Sequence, residues 1–246
     1  MRKKIVAGNW KMNLNSEKAH KLLKNLESIS FPKDVEVIIA PPSIYLDSFS
    51  KAKNLFISSQ DVSSNDNGAY TGEFSAEMLS SLNLKYSIIG HSERRQFFNE
   101  KNDEIKQKIL KIVNKTLTIL CIGETEEENK NDQTKDVLKR QLEVIKDIEF
   151  NDSLVIAYEP VWAIGTGNTP TPDKINEIHK FIKDVVQSFT DNSAIPMVLY
   201  GGSVNQENAE NFFKEESVDG ALIGGASLDG KQFANIINIF NGTNLK

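Results

Sequence analysis

Short runs of apolar residues alternate along this chain with stretches whose apolar positions recur every three or four residues. The short runs are Lys4–Gly8, Val35–Ala40, Leu55–Ser59, Tyr86–Ile89, Leu117–Ile122, Leu154–Tyr158, Met197–Tyr200 and Gly220–Ile223. Most are nearly continuous in apolar residues, the pattern of a strand covered on both faces. Between them lie amphipathic stretches such as Leu22, Leu23, Leu26 and Ile29, or Ile175, Ile178, Ile182, Val185 and Val186. Their spacing predicts helices with one apolar stripe. Asn15-Ser16 supplies a start signal for the first, and Thr171-Pro172 puts a proline where a first helical turn accepts it.

Strands that alternate with helices predict a parallel sheet with right-handed crossovers. Eight such units in 246 residues leave roughly 31 residues per unit, the size of a single (β/α)8 barrel. A doubly wound open sheet is the competing architecture, but it usually stops near five or six strands. No Pro/Gly/Ser-rich linker divides the chain, so residues 1–246 read as one α/β domain. The charged run at 124–131 (ETEEENKN) reads as a solvated loop and helix start, without a function.

Composition narrows the chemistry. The net charge of −5 argues against a surface that binds nucleic acid over its whole extent, but leaves room for a local positive pocket. One cysteine, Cys121, precludes an intrachain disulfide, and three histidines far apart lack metal-ligand spacing. Neither a signal peptide nor a membrane span is expected, because Asn9, Lys11 and Asn13 interrupt the first apolar run. A reducing cytoplasm is the expected compartment.

A barrel of this kind gathers its functional groups at the C-terminal ends of the strands. Asn9-Trp10-Lys11 follow the first strand, and Gly90-His91-Ser92-Glu93-Arg94-Arg95 follow the fourth. Glu159 ends the sixth, Gly201-Gly202-Ser203-Val204 follow the seventh, and Gly224-Gly225-Ala226-Ser227 follow the eighth. Glu159-Pro160 on its own would merely end a strand. After it, however, come four apolar residues, Val161 to Ile164, and then Gly165-Thr166-Gly167. An apolar loop with flexible ends beside a lone carboxylate reads as a lid over a base, and burial would raise the pKa of that base. Two glycine pairs at consecutive strand ends fit a phosphate site, since bare backbone lets N–H groups approach an anion. Lys11 fits a fixed positive charge for a phosphate or a developing oxyanion. His91, opening a short helix, would have its pKa lowered by the helix dipole and act as a neutral hydrogen-bond donor. His20, His179 and Cys121 read as structural.

These residues fall within a series of motifs: GNWKMN at the start, GAYTGE at 68–73, IGHSERR at 89–95, CIGET from Cys121, AYEPVWAIGTG at 157–167, YGGSV from Tyr200 and LIGGASL from Leu222. In this order, and over essentially the whole length, the chain resembles the triosephosphate isomerase family. The resemblance implies the TIM-barrel fold and interconversion of dihydroxyacetone phosphate and glyceraldehyde 3-phosphate, a reaction of glycolysis and gluconeogenesis. It implies Glu159 as catalytic base, His91 as neutral electrophile, and Lys11 with Asn9 as the groups that stabilise substrate charge. Glu93 would help hold Lys11. Gly165, Ser203, Gly224 and Gly225 would hold the phosphate. No metal or organic cofactor is implied. A homodimer is, with Thr71 of the GAYTGE loop reaching the neighbouring site; no nucleic acid or membrane is. In one place the chain departs from the family. Its lid ends Asn168-Thr169-Pro170, where the family more often has lysine first and alanine third, and Pro170 should stiffen that hinge. Another phosphate-binding barrel, such as a sugar-phosphate epimerase or lyase, and a barrel without catalytic activity are the alternatives.

Overall fold

The computed structural model describes residues 4–150, 154–165, 169–189 and 195–243. Eight strands close into a barrel: β1 (Lys4–Asn9), β2 (Val35–Ala40), β3 (Phe56–Ser59), β4 (Tyr86–Ile89), β5 (Leu117–Ile122), β6 (Leu154–Tyr158), β7 (Met197–Tyr200) and β8 (Gly220–Ile223). Each pairs in parallel with its sequence neighbours, and β8 returns to β1 through the register Ile5↔Gly220 to Gly8↔Ile223. Six strands have the bounds their apolar runs predict. β1 runs one residue further, so Asn9 is the last residue of the strand, and β3 starts at Phe56.

The apolar runs are continuous because each strand faces two cores. Ile5, Ala7, Ile38, Ala40, Ile88, Ile119, Cys121, Val155, Ala157, Leu199 and Leu222 pack inside the barrel. The alternate residues, among them Val6, Val37, Ile39, Leu120, Ile156 and Val198, pack outward under the helices. In four strands the inward residue nearer the C-terminal end is the smaller one: Ala7 after Ile5, Ala40 after Ile38, Cys121 after Ile119 and Ala157 after Val155. Small side chains there leave space beneath the mouth of the barrel. At the opposite end Tyr86 donates to Glu36, which also pairs with Lys85 at 3.0 Å.

Local signals set the helices as predicted. The Asn15 side chain accepts from Lys18 N and caps the helix Ser16–Glu27, which ends before Ile29. Pro172 opens the helix Pro172–Phe189, whose buried stripe includes Ile175, Ile178 and Ile182. Among the described residues no helix is long and apolar enough to cross a membrane.

Candidate active site

A cleft of about 360 Å³ opens at the C-terminal ends of the strands, lined among others by Asn9, Lys11, His91, Glu159, Gly165, Ser203, Gly224 and Gly225. These come from β1, β4, β6, β7 and β8 and the turns that follow them. Barrel closure thus brings together residues from opposite ends of the chain, Asn9 and Ala226 being 217 apart in sequence. Glu93 reaches the cleft through Lys11 and His91, and Thr71 lies exposed on a separate loop.

Lys11 is held in an unusual backbone state. Its φ is +51°, a left-handed conformation that costs a side-chain-bearing residue about 1–3 kcal/mol unless its neighbours impose it. Here they do. The Lys11 N–H donates to Asn9 Oδ1 at 2.9 Å, and Gln60 Nε2 donates both to Lys11 O at 3.0 Å and to Ala40 O at 2.8 Å. Lys11 Nζ meets Glu93 Oε1 at 2.6 Å. The ammonium therefore stands at a fixed point on the cleft wall.

His91 caps the helix Ser92–Phe97, and its Nδ1 accepts from the backbone N–H of Glu93 at 3.2 Å. The other ring nitrogen, Nε2, lies 3.0 Å from Glu159 Oε1. The other oxygen, Oε2, accepts from Ser92 N at 3.0 Å. Both side chains are buried. This arrangement reverses two expected pKa directions. Burial does push His91 down, but the Glu159 carboxylate and its hydrogen bond push it further up, so the net shift is upward. Burial pushes Glu159 up, yet His91, the Ser92 N–H and Lys11 together hold it below the usual carboxylate value. In this arrangement the carboxylate is parked on its neighbours. Its basicity returns when those contacts are given up.

Pro160 ends β6, and Val161–Ala163 form a short 3-10 turn, with Ala163 N donating to Pro160 O at 2.8 Å. Ser203 joins this turn to the glycine loop: its hydroxyl donates to Ala163 O at 2.7 Å and accepts from Gly165 N at 3.2 Å. The root of the turn is gripped by Glu124, a residue that reads as solvated in the sequence and is 0% exposed in the structure. Glu124 accepts from Trp162 Nε1 at 2.8 Å and from Tyr158 Oη at 3.1 Å, and its carbonyl accepts from Val161 N at 3.0 Å. Thr166, Gly167 and Asn168 of the predicted lid lie outside the described residues.

Glu124, inside the CIGET motif, and Gln60 support the site but carry no role in the sequence-based expectations. Both follow a strand end, β5 and β3 respectively, so reading every strand end equally would have singled them out. Glu124 was hidden by the acidic run after it. The helix Glu126–Lys130 built from that run is exposed and has a capping box between Thr125 and Glu128, as a solvated helix start should. Cys121 is buried in the barrel, where burial foremost pushes its thiol pKa well up and keeps it protonated. His179 is buried on its helix away from the cleft, and His20 is exposed.

The comparisons with known proteins agree with this geometry. The profile of the family described as triosephosphate isomerase matches residues 4–240. A protein named triosephosphate isomerase from Legionella pneumophila (strain Paris) is 44% identical over 251 residues, covering 98% of this chain and 100% of its own length. Proteins of the same name from Buchnera aphidicola subsp. Schizaphis graminum and Escherichia coli O1:K1 are 44% and 41% identical, each covering at least 96% of both chains. With a closed parallel barrel, a cleft at its C-terminal mouth and full-length similarity all in agreement, the chain belongs to the triosephosphate isomerase family of enzymes.

Proposed function

We propose that this cleft interconverts dihydroxyacetone phosphate and glyceraldehyde 3-phosphate through an enediolate, with Glu159 as the base. The observation that carries the reading is convergence: a buried carboxylate, a buried imidazole and a fixed ammonium share one cleft with the bare backbone of Gly224 and Gly225. Glu159 takes a proton from the carbon beside the carbonyl. The electron pair moves onto the carbonyl oxygen, where His91 Nε2–H and Lys11 Nζ stabilise the developing charge. His91 gives its Nε2 proton to that oxygen and takes the hydroxyl proton of the adjacent one, and Glu159 then returns its proton to the former carbonyl carbon as the new carbonyl forms. No atom is gained or lost, and no redox step is needed. A carbon acid is too weak for a carboxylate unless the enediolate is stabilised as it forms, so the base and the two donors work as a unit.

The phosphate sits against Gly224, Gly225, Ser203 and Gly165. Closing the lid over it excludes water, in which the enediolate could expel phosphate. Substrate oxygens at His91 compete for the Nε2 proton that now holds Glu159, and this frees the base for carbon. The same reaction would place the enzyme in glycolysis and gluconeogenesis in the cytoplasm.

The test is a coupled spectrophotometric isomerase assay with chelator present, run beside Glu159→Gln. Rapid interconversion by the wild type, with kcat lower by about 10²- to 10⁴-fold in the variant, is expected. Full activity in Glu159→Gln would remove that residue as the base. No activity in a folded wild type would sink the reading as a whole.

The working form is proposed to be a homodimer. Met12, Ile44, Phe97 and Phe98 are 96%, 80%, 70% and 68% exposed, and Tyr70 beside Thr71 is half-exposed. All five follow strands β1 to β4, which are neighbours around the barrel, so the exposure falls on one side. A second copy would cover this side and bring Thr71 to its neighbour's cleft. Sedimentation at micromolar concentration should give about twice the mass of one chain. Phe98→Asp should shift that value toward one chain and lower activity with it.

A further inference from the structure

We propose that Gln141 is a positioning residue for the isomerisation: its side-chain amide fixes the end of β5, on which both Glu159 and the root of the lid rest. The proposal depends on the reading of Glu159 as the base.

Gln141 lies on the helix Thr134–Leu142, anchored there by buried Leu138 and Leu142. Its Oε1 accepts from Gly123 N at 2.8 Å, and its Nε2 donates to Gly123 O at 3.0 Å. One side chain thus engages both polar groups of a single residue. A primary amide presents a donor and an acceptor side by side, which an ionised carboxylate does not. Gly123 directly follows β5, where the chain leaves the ladder and its backbone groups would otherwise face the rim. The two-point bond therefore sets the direction in which the chain departs.

What departs there is the support of the site. A β-carbon added at Gly123 would lie 1.8 Å from Glu159 O and 3.3 Å from its Cα, so this segment is packed directly on the backbone of the base. Ile122 O, one residue before, accepts from Glu159 N at 2.7 Å. Glu124, one residue after, holds Trp162, Tyr158 and Val161 N. Both neighbours of Gly123 thus contact the base or the root of the lid. Rotation of that segment would carry Glu159 and Trp162 with it, and reacting groups tolerate displacement poorly: about 1 Å can cost ~10²-fold in rate.

The experiment compares kcat and KM of the wild type with Gln141→Met, Gln141→Glu, Glu124→Gln and the double variant Gln141→Met/Glu124→Gln, with folding checked by circular dichroism. Gln141→Met keeps the size and removes both bonds. It is expected to lower kcat by about tenfold while KM stays within about twofold. Gln141→Glu keeps the acceptor for Gly123 N but loses the donor to Gly123 O, and should fall between the two. In the Glu124→Gln background, Gln141→Met should cost less than about threefold, because both residues act through one segment. A folded Gln141→Met with kcat within twofold of wild type overturns the proposal. So does an equal loss in both backgrounds, which would separate Gln141 from the lid root. Failure of both single Gln141 variants to fold overturns it too, making the residue one of stability alone. An inactive wild type removes the functional reading and this proposal together, whereas an active wild type with an unaffected variant removes only this one.

Discussion

Lys11 is the residue on which the local cost is clearest. Its left-handed φ is imposed by Asn9 and Gln60, and its ammonium is aimed by Glu93. The strain persists because the neighbours over-determine it, and it sits where a charge is needed in the proposed reaction. Lys11→Met keeps the length and removes the charge. Steady-state kinetics should show kcat/KM lower by about 10²- to 10³-fold with the fold intact. A loss under tenfold would mean that His91 alone carries the oxyanion. Glu159 and His91 teach a related lesson. Burial by itself would make the carboxylate a stronger base, but in this arrangement its partners outweigh burial. Its pKa in this arrangement is set by those partners and not by burial alone, so in the proposed reaction giving up the contacts is what would make it a base.

At the scale of elements, the proposed lid begins as a short turn held at both described ends. Glu124 holds its root through Trp162, and Ser203 holds Ala163 and Gly165 to the glycine loop. Its far hinge contains Pro170. Proline limits the conformations the hinge loses when it closes, and relief of that restriction by alanine typically costs about 0.4–1 kcal/mol. Pro170→Ala should therefore raise KM by about two- to fivefold, as measured by steady-state kinetics. Unchanged turnover and KM would show that the proline has no hinge effect. Arg95 ties neighbouring strand ends together in the same spirit: its Nε donates to Gly90 O at 2.8 Å, just before His91, and an Nη donates to Cys121 O at 3.2 Å.

The whole molecule carries a pH sensitivity remote from the cleft. His179 is fully buried, and burial, aided by Lys183, pushes its pKa down to about 3. In the unfolded chain it titrates near the ordinary value of about 6.5. Below that pH the unfolded state binds a proton that the folded state refuses, so stability is lost as pH falls from about 6.5 toward 3. Asp61, pushed up to about 6 chiefly by its burial, works in the opposite sense over part of this range. A variant isolates the histidine. The stability difference between wild type and His179→Leu should shift by about 2 kcal/mol against the wild type between pH 7 and pH 5, in urea unfolding at each pH. A difference independent of pH would mean that His179 can be protonated inside the fold.

The strands are legible in the amino-acid pattern, because a parallel barrel strand must be apolar on both faces, and that requirement leaves a continuous run such as Val35–Ala40 or Leu154–Tyr158. The same pattern shows which residues end those strands, and strand ends are where such barrels place their chemistry. Hence Lys11, His91 and Glu159 were legible before any coordinate. What each of them touches is settled by folding alone. That Glu124 is buried, that Gln60 holds Lys11 from another strand, and that His91 and Glu159 share a hydrogen bond depend on barrel closure, which brings together residues tens to hundreds of positions apart. The direction of a pKa shift was equally beyond the sequence. It is a balance between desolvation and partners a few ångströms away, and composition records neither the burial nor the distance.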